Sequence, residues 1–544
     1  GEMVAYAEFC PAQIGAILYT VKWTIEELGL ESFHSGDVVM HNDPYRGGCH
    51  MPEHTVIMPV FFAGELYGFV ANIAHVTEIG GKAVGGFSAD AKEVYQEGLR
   101  LPPIKIVDQG RLVEDLWKVI LCNHRTPLTS WGDFHAMIGS LHVAERRLQQ
   151  VLEKHGVAGL LAAGKALMAY SEKRMRAEIR ELPNGEYAFE DWIENDGVDP
   201  DARYRIHCLV NVRDDDIIFD YTGSSPQARG PCNCTYGVTA SATYNAMLNL
   251  TDQTIARNSG CYRPIRLIVP PGSVVNVTHP GPSVGGNSEI HERIVDVLFG
   301  ALSAAVPDRV AAGAGASSCN FLFGGRHPRT GQYYANYHIE GSGWGATASG
   351  DGNHTQCPIN GNCRNTPVEV FETRYPWMVE SYRLAPGSGG HGRTRGGYGC
   401  IRELRVEAPE ITVSSFMDRH LHGTWGLFGG GGGSPGTLRV KRAGETEWRS
   451  FTAAFGTTSA SKFADVQLHI GDRVLIVSPG GGGYGSPLER DPSLVLEDIR
   501  EGLYTADLGF AAYGVVLHDD GHGMAVDIAE TEQERRRRHA ATAG

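Results

Sequence analysis

Seventy glycines in a chain of 544 residues, gathered in clusters rather than spaced at a fixed period, set the strongest limit on the fold. The clusters lie at 341–345, 387–392, 396–399, 429–433 and 480–483. Without a fixed period they cannot build a collagen helix or a solenoid. Between them run short β-branched and aromatic stretches at 400–406, 410–415 and 473–477. Short strands joined by glycine turns predict an antiparallel barrel or sandwich-like region from about residue 320 onward. Glycine also permits close backbone approach to anions or planar ligands.

The remainder reads as α+β. Residues 14–28 carry a helical pattern, and 134–155 and 157–182 form a helical pair separated at Gly156. From Gly185 the pattern changes to strands at 187–195, 204–213 and 216–221, interrupted later by buried helices at 239–250 and 290–306. A short helix at 492–502 precedes a last strand and helix ending near 517. The length exceeds one compact core, so the expected fold is multidomain, with mixed and antiparallel sheets. The expected divisions are 1–185, an N-terminal part with the helical pair; 186–319, a central α+β part; and 320–544, the glycine-rich β part. Gly1 to Tyr6 reads as a strand already under way, which implies an upstream segment. The polar end from Asp527, with Arg535 to Arg538, reads as a frayed, solvated terminus.

A net charge of −15 excludes nucleic acid as the expected partner. The apolar stretches, such as 56–63, are too short to span a membrane. Eleven dispersed cysteines point to reduced thiols and a cytoplasmic location. Cys232 with Cys234, and Cys357 with Cys363, lack zinc spacing and read as buried or loop thiols.

Chemistry concentrates between Asp37 and Gly81. Two apolar runs feed His50, Glu53 and His75 into loops broken by Gly and Pro, with Asp43, His54 and Glu78 nearby. Imidazole and carboxylate donors at strand ends suit a divalent metal with an open position, zinc or manganese by donor type. His50, Glu53 and His75 are the first candidates, and Asp43, His54 and Glu78 are reserve ligands or supporting partners. The chain has no Gly-x-x-x-x-Gly-Lys-[Ser/Thr] phosphate loop, so the isolated chain is expected neither to bind nor to hydrolyse ATP. Letter matches to Gly-x-Gly-x-x-Gly and Gly-x-Ser-x-Gly fall outside the strand–turn–helix contexts those motifs need.

Longer motifs carry a resemblance. They are Asn42-Asp-Pro-Tyr-x-Gly-Gly-x-His50, Ala74-His75 with Ile79-Gly-Gly81, and Glu93-x-Tyr-Gln-Glu-Gly-Leu-Arg100. Gly286-Asn-Ser-Glu289, Asn362-x-Arg-Asn-Thr-Pro-Val-Glu369, Ser388-Gly-Gly-x-Gly-x-x-Arg395-Gly-Gly and Pro479-Gly-Gly-Gly-Gly-Tyr-Gly485 follow in order. Together they resemble the hydantoinase B/oxoprolinase family across almost the whole chain. The resemblance implies a large subunit paired with an actin-like, ATP-binding hydantoinase A subunit, in a hetero-oligomer with two or more copies of each. It implies either ring opening of cyclic amides, as in hydantoinase, 5-oxoprolinase and caprolactamase, or ketone carboxylation, as in acetone and acetophenone carboxylases. A non-catalytic scaffold role is the third alternative.

In the metal-dependent carboxylases a His-x-x-Asp pair and a later His bind the ion. By motif these fall on His50, Glu53 and His75, with Glu53 departing from the usual Asp. In the hydrolase reading the partner phosphorylates the substrate oxygen and the metal activates water. His54 or Glu78 then serves as general base, and Asn287, Glu289, Arg364 and Asn365 line the substrate path.

Overall fold

The computed structural model describes residues 1–7, 10–519, 521 and 523–542. Apolar residues at helical spacing form α1 (Ala16–Leu28), ended by Gly29 at φ 75°. Five antiparallel strands follow: β1 (Val38–His41), β2 (Glu53–Phe62), β3 (Glu65–His75), β4 (Ile104–Asp108) and β5 (Arg111–Leu112). Their order is β3-β2-β1-β4-β5. Three helices come next, α2 (Glu114–Cys122), α3 (Pro127–His155) and α4 (Val157–Arg180). Phe134, Met137, Ile138 and Leu141 of α3 cover Val38, Met40, Val56 and Met58 of the sheet, giving its outer face a core.

The second sheet joins β6 (Gly185–Glu194), β7 (Arg203–Arg213), β8 (Asp216–Asp220) and β9 (Ile265–Ile268). The β8/β9 pair is parallel, which requires a crossover. Helices α5 (Tyr236–Leu250) and α6 (Ser259–Tyr262) supply it. One π turn, Gly286–Ile290, leads into α7 (His291–Leu302), all 12 of whose residues are buried against β6, β7 and α5. The largest core gathers Ile14, Phe87, Met175, Val238, Ile294, Leu322 and Tyr484 from the whole length of the chain.

Two more sheets follow Asn320. They contain β10 (Asn320–Arg326), β11 (Tyr333–His338), then, after α8 (Val368–Arg374), β12 (Trp377–Leu384), β13 (Cys400–Val406), β14 (Glu410–Phe416) and β15 (Thr437–Lys441). Beyond α9 (Phe451–Phe455) come β16 (Lys462–His469) and β17 (Arg473–Val477). Their orders are β11-β10-β14-β16 and β12-β13-β17-β15. Phe321, Phe323, Val413 and Leu468 of one sheet share a core with Leu404, Val440, Val474 and Ile476 of the other, as two packed sheets should.

The glycine clusters do something other than punctuate these strands. Gly390 N–H donates to Gly481 O, Gly481 N–H to Gly397 O, Gly397 N–H to Trp344 O and Gly483 N–H to Gly431 O, all at 2.8–2.9 Å. Sequence-distant glycine runs thus lie side by side, held by main-chain hydrogen bonds. A Cβ on Gly397 would stand 1.9 Å from Asn353 O, and one on Gly481 2.0 Å from Trp344 O. Only glycine allows backbones this close.

Both ends of the chain differ from the sequence expectation. Residues 1–7 join no strand ladder; instead Met3 exchanges hydrogen bonds with Ser259 at 2.8 Å. After α10 (Pro492–Arg500) and α11 (Ala506–Tyr513), the hairpin β18 (Leu517–Asp519) and β19 (Met524–Val526) leads to α12 (Ile528–Thr542). This last helix is docked rather than frayed. Arg535 donates to Tyr513 O at 2.9 Å and to Arg490 O at 2.8 Å, while Val516 N–H donates to Thr531 Oγ1 at 3.0 Å. A mostly polar composition concealed docking made by arginine guanidinium groups and backbone carbonyls. Among the described residues no helix is long and apolar enough to cross a membrane.

Charge ties the second and third sheets together. Asp418 receives Arg293 Nη2 at 2.8 Å and Lys462 Nζ at 2.7 Å, and all three are buried. Burial opposes the charge on Asp418, but Lys462 and Arg293 hold its carboxyl below the usual range. Asp418→Ala strands the buried Lys462 and leaves Arg293 only Asp191 as a carboxylate partner, so a stability loss of about 3–5 kcal/mol is expected in chemical denaturation.

Candidate metal centre

The β2–β3 hairpin sets the geometry. Its register pairs Glu53 directly with His75, so the first residue of one strand faces the last of the other on one side of the sheet. His50 enters three residues before Glu53. Its Nε2 lies 3.6 Å from Glu53 Oε1 and 3.2 Å from His75 Nδ1. One donor atom from each of the three residues falls within 4.8 Å of the others.

Surrounding groups orient these side chains. His50 Nδ1 lies 3.0 Å from Val284 O, which fixes the ring with Nε2 turned toward Glu53 and His75. Val284 is itself fixed, because its N–H and that of Ser283 donate to Glu97 Oε1 at 2.8 and 2.7 Å. Burial pushes the Glu97 carboxyl up to about 8 against those two donors. Gln13 Nε2 at 3.1 Å and Asn287 Nδ2 at 3.0 Å both donate to Glu53 Oε1. His75 stacks on Tyr337 with ring centroids 4.8 Å apart, and Tyr337 stacks on Phe87 at 5.0 Å. The Tyr337 hydroxyl donates to Asn320 Oδ1 at 2.6 Å.

Burial lowers the His75 imidazole to about 3. Burial opposes ionisation of Glu53, but His50, Cys49 and His75 outweigh it and bring the carboxyl to about 2. At neutral pH the site therefore holds an anionic carboxylate beside a neutral imidazole, the protonation states that cation binding requires. Among the described residues no hydrogen-bond partner serves Glu53 Oε2, His75 Nε2, Asn287 Oδ1 or either ring nitrogen of His291. Buried polar atoms left bare are costly, and a cation with its remaining ligands would satisfy them. The donor set, two imidazoles and one carboxylate, fits zinc or manganese.

Three of the sequence candidates lie elsewhere. His54 follows Glu53 on β2 and so points to the opposite face, where it meets Phe134 of α3 with centroids 4.9 Å apart. Its Nδ1 lies 3.2 Å from Pro52 O, and burial holds its imidazole at about 3. Glu78 accepts from Gly80 N–H at 2.5 Å, Gly85 N–H at 3.0 Å and Arg125 Nη1 at 2.9 Å. It braces the turn after His75 and has no free role as a base. Asp43 caps the turn Pro44–Arg46, accepts from Tyr45 N–H and pairs with Arg46, so it is no ligand. His54→Gln is expected to lower thermal stability while leaving metal content unchanged, which denaturation and elemental analysis of one preparation check together.

Of the expected substrate-path residues, Asn287 reaches the centre through Glu53. Glu289 does not. Its oxygens accept from Ser318 N–H at 3.1 Å, Asn320 Nδ2 at 2.7 Å and Asp418 N–H at 3.0 Å, and burial together with Asp418 raises its carboxyl to about 8. Arg364 and Asn365 line a cavity of about 400 Å³, with Gln356, Cys357 and Cys363. Asn365 Nδ2 donates to Tyr382 OH at 2.6 Å.

Sequence reasoning missed His291, Tyr337, Gln13 and Asn360. His291 is fully buried, and the field of Glu53 partly offsets the burial that draws its imidazole to about 3. Asn360 Nδ2 donates to Asn287 O at 2.8 Å. Only His291 left a signal, four residues beyond Asn287 on a buried helix.

Comparison with known proteins shows the family. The sequence profile of hydantoinase B/oxoprolinase proteins matches residues 1–487. The chain belongs to the hydantoinase B/oxoprolinase family. The caprolactamase subunit beta of Pseudomonas jessenii is 32% identical over 543 residues, covering 98% of this chain and 91% of that protein. The crystal structure of the ATP-dependent caprolactamase from Pseudomonas jessenii superposes with a TM-score of 0.87 at 30% identity, over 98% of this chain and 91% of that one. A nucleotide-free acetone carboxylase structure superposes with a TM-score of 0.89 over 100% of this chain and 77% of that one. At 21% identity that likeness concerns the fold alone.

Proposed function

We propose that this family member is the catalytic large subunit of an ATP-dependent cyclic-amide hydrolase. The observation that carries the reading is the convergence of His50, Glu53 and His75 within 4.8 Å, with Glu53 Oε2 and His75 Nε2 left without hydrogen-bond partners. The kinship with caprolactamase subunit beta supports the reaction class. His50, Glu53 and His75 would hold one divalent ion, zinc or manganese. When bound, such an ion supplies Lewis-acid polarisation of a carbonyl and stabilises the developing oxyanion.

The chain's own residues do the rest. Asn287 and Gln13 fix Glu53 through its Oε1, keeping the carboxylate in one rotamer. His291, neutral and without a hydrogen-bond partner among the described residues, lies in the field of Glu53 and is free to hydrogen-bond or ligate there, as His54 and Glu78 are not. Tyr337 and Phe87 wall the site with stacked rings that exclude water. Arg364, at the 400 Å³ cavity, offers positive charge to an anionic, phosphoryl-activated substrate. ATP is bound and spent on a hydantoinase A-like partner, in a hetero-oligomer with two or more copies of each subunit.

The test is co-expression with a hydantoinase A-like chain. Ring opening and ADP release are then followed with hydantoin, 5-oxoproline and caprolactam, with and without bicarbonate. ATP-dependent ring opening of any of the three, independent of bicarbonate, supports the hydrolase. Carboxylation of acetone that requires bicarbonate, with no ring opening, would replace it by a ketone carboxylase. A complex with no metal and no turnover would leave a scaffold.

A further inference from the structure

The loop 357–363 brings two cysteines together at the wall of the cavity. Its chain reverses at a turn in which Gly361 N–H donates to Pro358 O at 3.0 Å. The reversal carries Cys363 back to Cys357, and Cys363 N–H donates to Cys357 Sγ at 3.3 Å. A methyl placed on Gly361 would lie 2.6 Å from Cys357 Sγ and 3.5 Å from Cys363 Sγ, so the two sulfurs face each other across one glycine. Both line the cavity with Arg364, and Cys363 is exposed.

We propose that Cys357 and Cys363 form a reactive dithiol, a modification site at which peroxide closes a disulfide across the loop 357–363. The roles of the two sulfurs are distinct. A hydrogen bond from the Cys357 thiol draws Cys363 down to about 7, against the effect of burial, and the same contact raises Cys357. Cys363 is therefore the attacking sulfur and Cys357 the resolving one. The Cys363 thiolate attacks one peroxide oxygen, breaking the O–O bond and releasing hydroxide, and becomes a sulfenic acid. Cys357 sulfur then attacks that sulfenic sulfur and displaces its hydroxyl, which leaves as water with the Cys357 proton. Hydroxide takes up the proton that Cys363 had lost. Two thiols are thus oxidised by two electrons while one peroxide is reduced to two waters.

Cys10 does not compete. Its thiol donates to Asn360 O at 3.1 Å, and burial and then Glu53 push it well above the usual range. The bridge would stiffen the loop at whose tip Asn360 holds Asn287, and so would reach the candidate centre. The proposal itself is independent of what the centre catalyses.

Two readings on the purified full chain test it. At pH 7, iodoacetamide should label Cys363 about tenfold faster than the exposed Cys122, and Cys357→Ala, which removes the donor, should remove most of that advantage. After stoichiometric hydrogen peroxide, non-reducing peptide mapping should show a Cys357–Cys363 disulfide that dithiothreitol reverses and that Cys363→Ser abolishes. Cys10→Ser should leave it intact. Equal labelling of Cys363 and Cys122, sulfinic or sulfonic Cys363 beside reduced Cys357, or a bridge to Cys10 would each overturn the assignment.

Discussion

His75→Ala is expected to empty the metal centre without unfolding the chain. Wild-type protein should carry about one divalent ion per chain, and the variant less than about a tenth of that. The side chain sits at the last position of β3, so its removal spares the hairpin register that pairs Glu53 with residue 75. What is lost besides the ligand is the stack on Tyr337, worth about 1 kcal/mol. Circular dichroism should therefore be unchanged and denaturation only slightly shifted. Turnover in the assembled complex should fall by a factor on the order of 10² to 10³, since losing a ligand exceeds the 10–100-fold typical of losing a group that merely supports one. Added imidazole should restore part of both metal content and turnover. Equal metal in wild type and variant, or none in either, would end the assignment of His50, Glu53 and His75.

The grouping of His50, Glu53 and His75 was legible because two strand ends carry their polar residues within a few residues of a turn. Glu53 and His75 are far enough apart to need a hairpin, and the run of apolar residues on either side of Gly64 supplies one. His54 misled for the same reason. Sequence density suggested one cluster, but alternation along β2 sends neighbouring side chains to opposite faces, and only the pairing register tells which face is which. Glu78 and Asp43 were drawn into the cluster by proximity in sequence, whereas each is consumed locally, one by backbone N–H groups and Arg125, the other by Arg46.

His291, Tyr337 and Asn360 reach the site from more than 200 residues away, and nothing in the sequence near Glu53 or His75 marks such an approach. His291 lies on a helix buried on every side, where hydrophobic periodicity gives no preferred face. The fold class, the helical pair and most strands were readable from period and punctuation. The two chain ends were not, because their contacts are a few hydrogen bonds to residues distant in sequence rather than an apolar stripe.

Glycine offers the sharpest contrast between sequence and structure. Gly397→Ala is expected to cost about 3 kcal/mol or more and to reduce the soluble yield, because its new methyl would overlap Asn353 O at 1.9 Å. The obstructing atom is backbone, tied into the same sheet of main-chain hydrogen bonds through Trp344 and Gly481, so relief would require several segments to move at once. Gly139→Ala is the opposite case. It lies within α3 with nothing inside 4 Å of the added carbon, so helix propensity should decide, with a gain of about 0.5–1 kcal/mol. The two letters are identical in the sequence, and only the crossing of distant strands separates them. Chemical denaturation of the two variants side by side measures the difference. If Gly397→Ala tracked Gly139→Ala, the glycine runs would be turn punctuation after all, and the close approach of backbones between residues 341 and 483 would carry no stability.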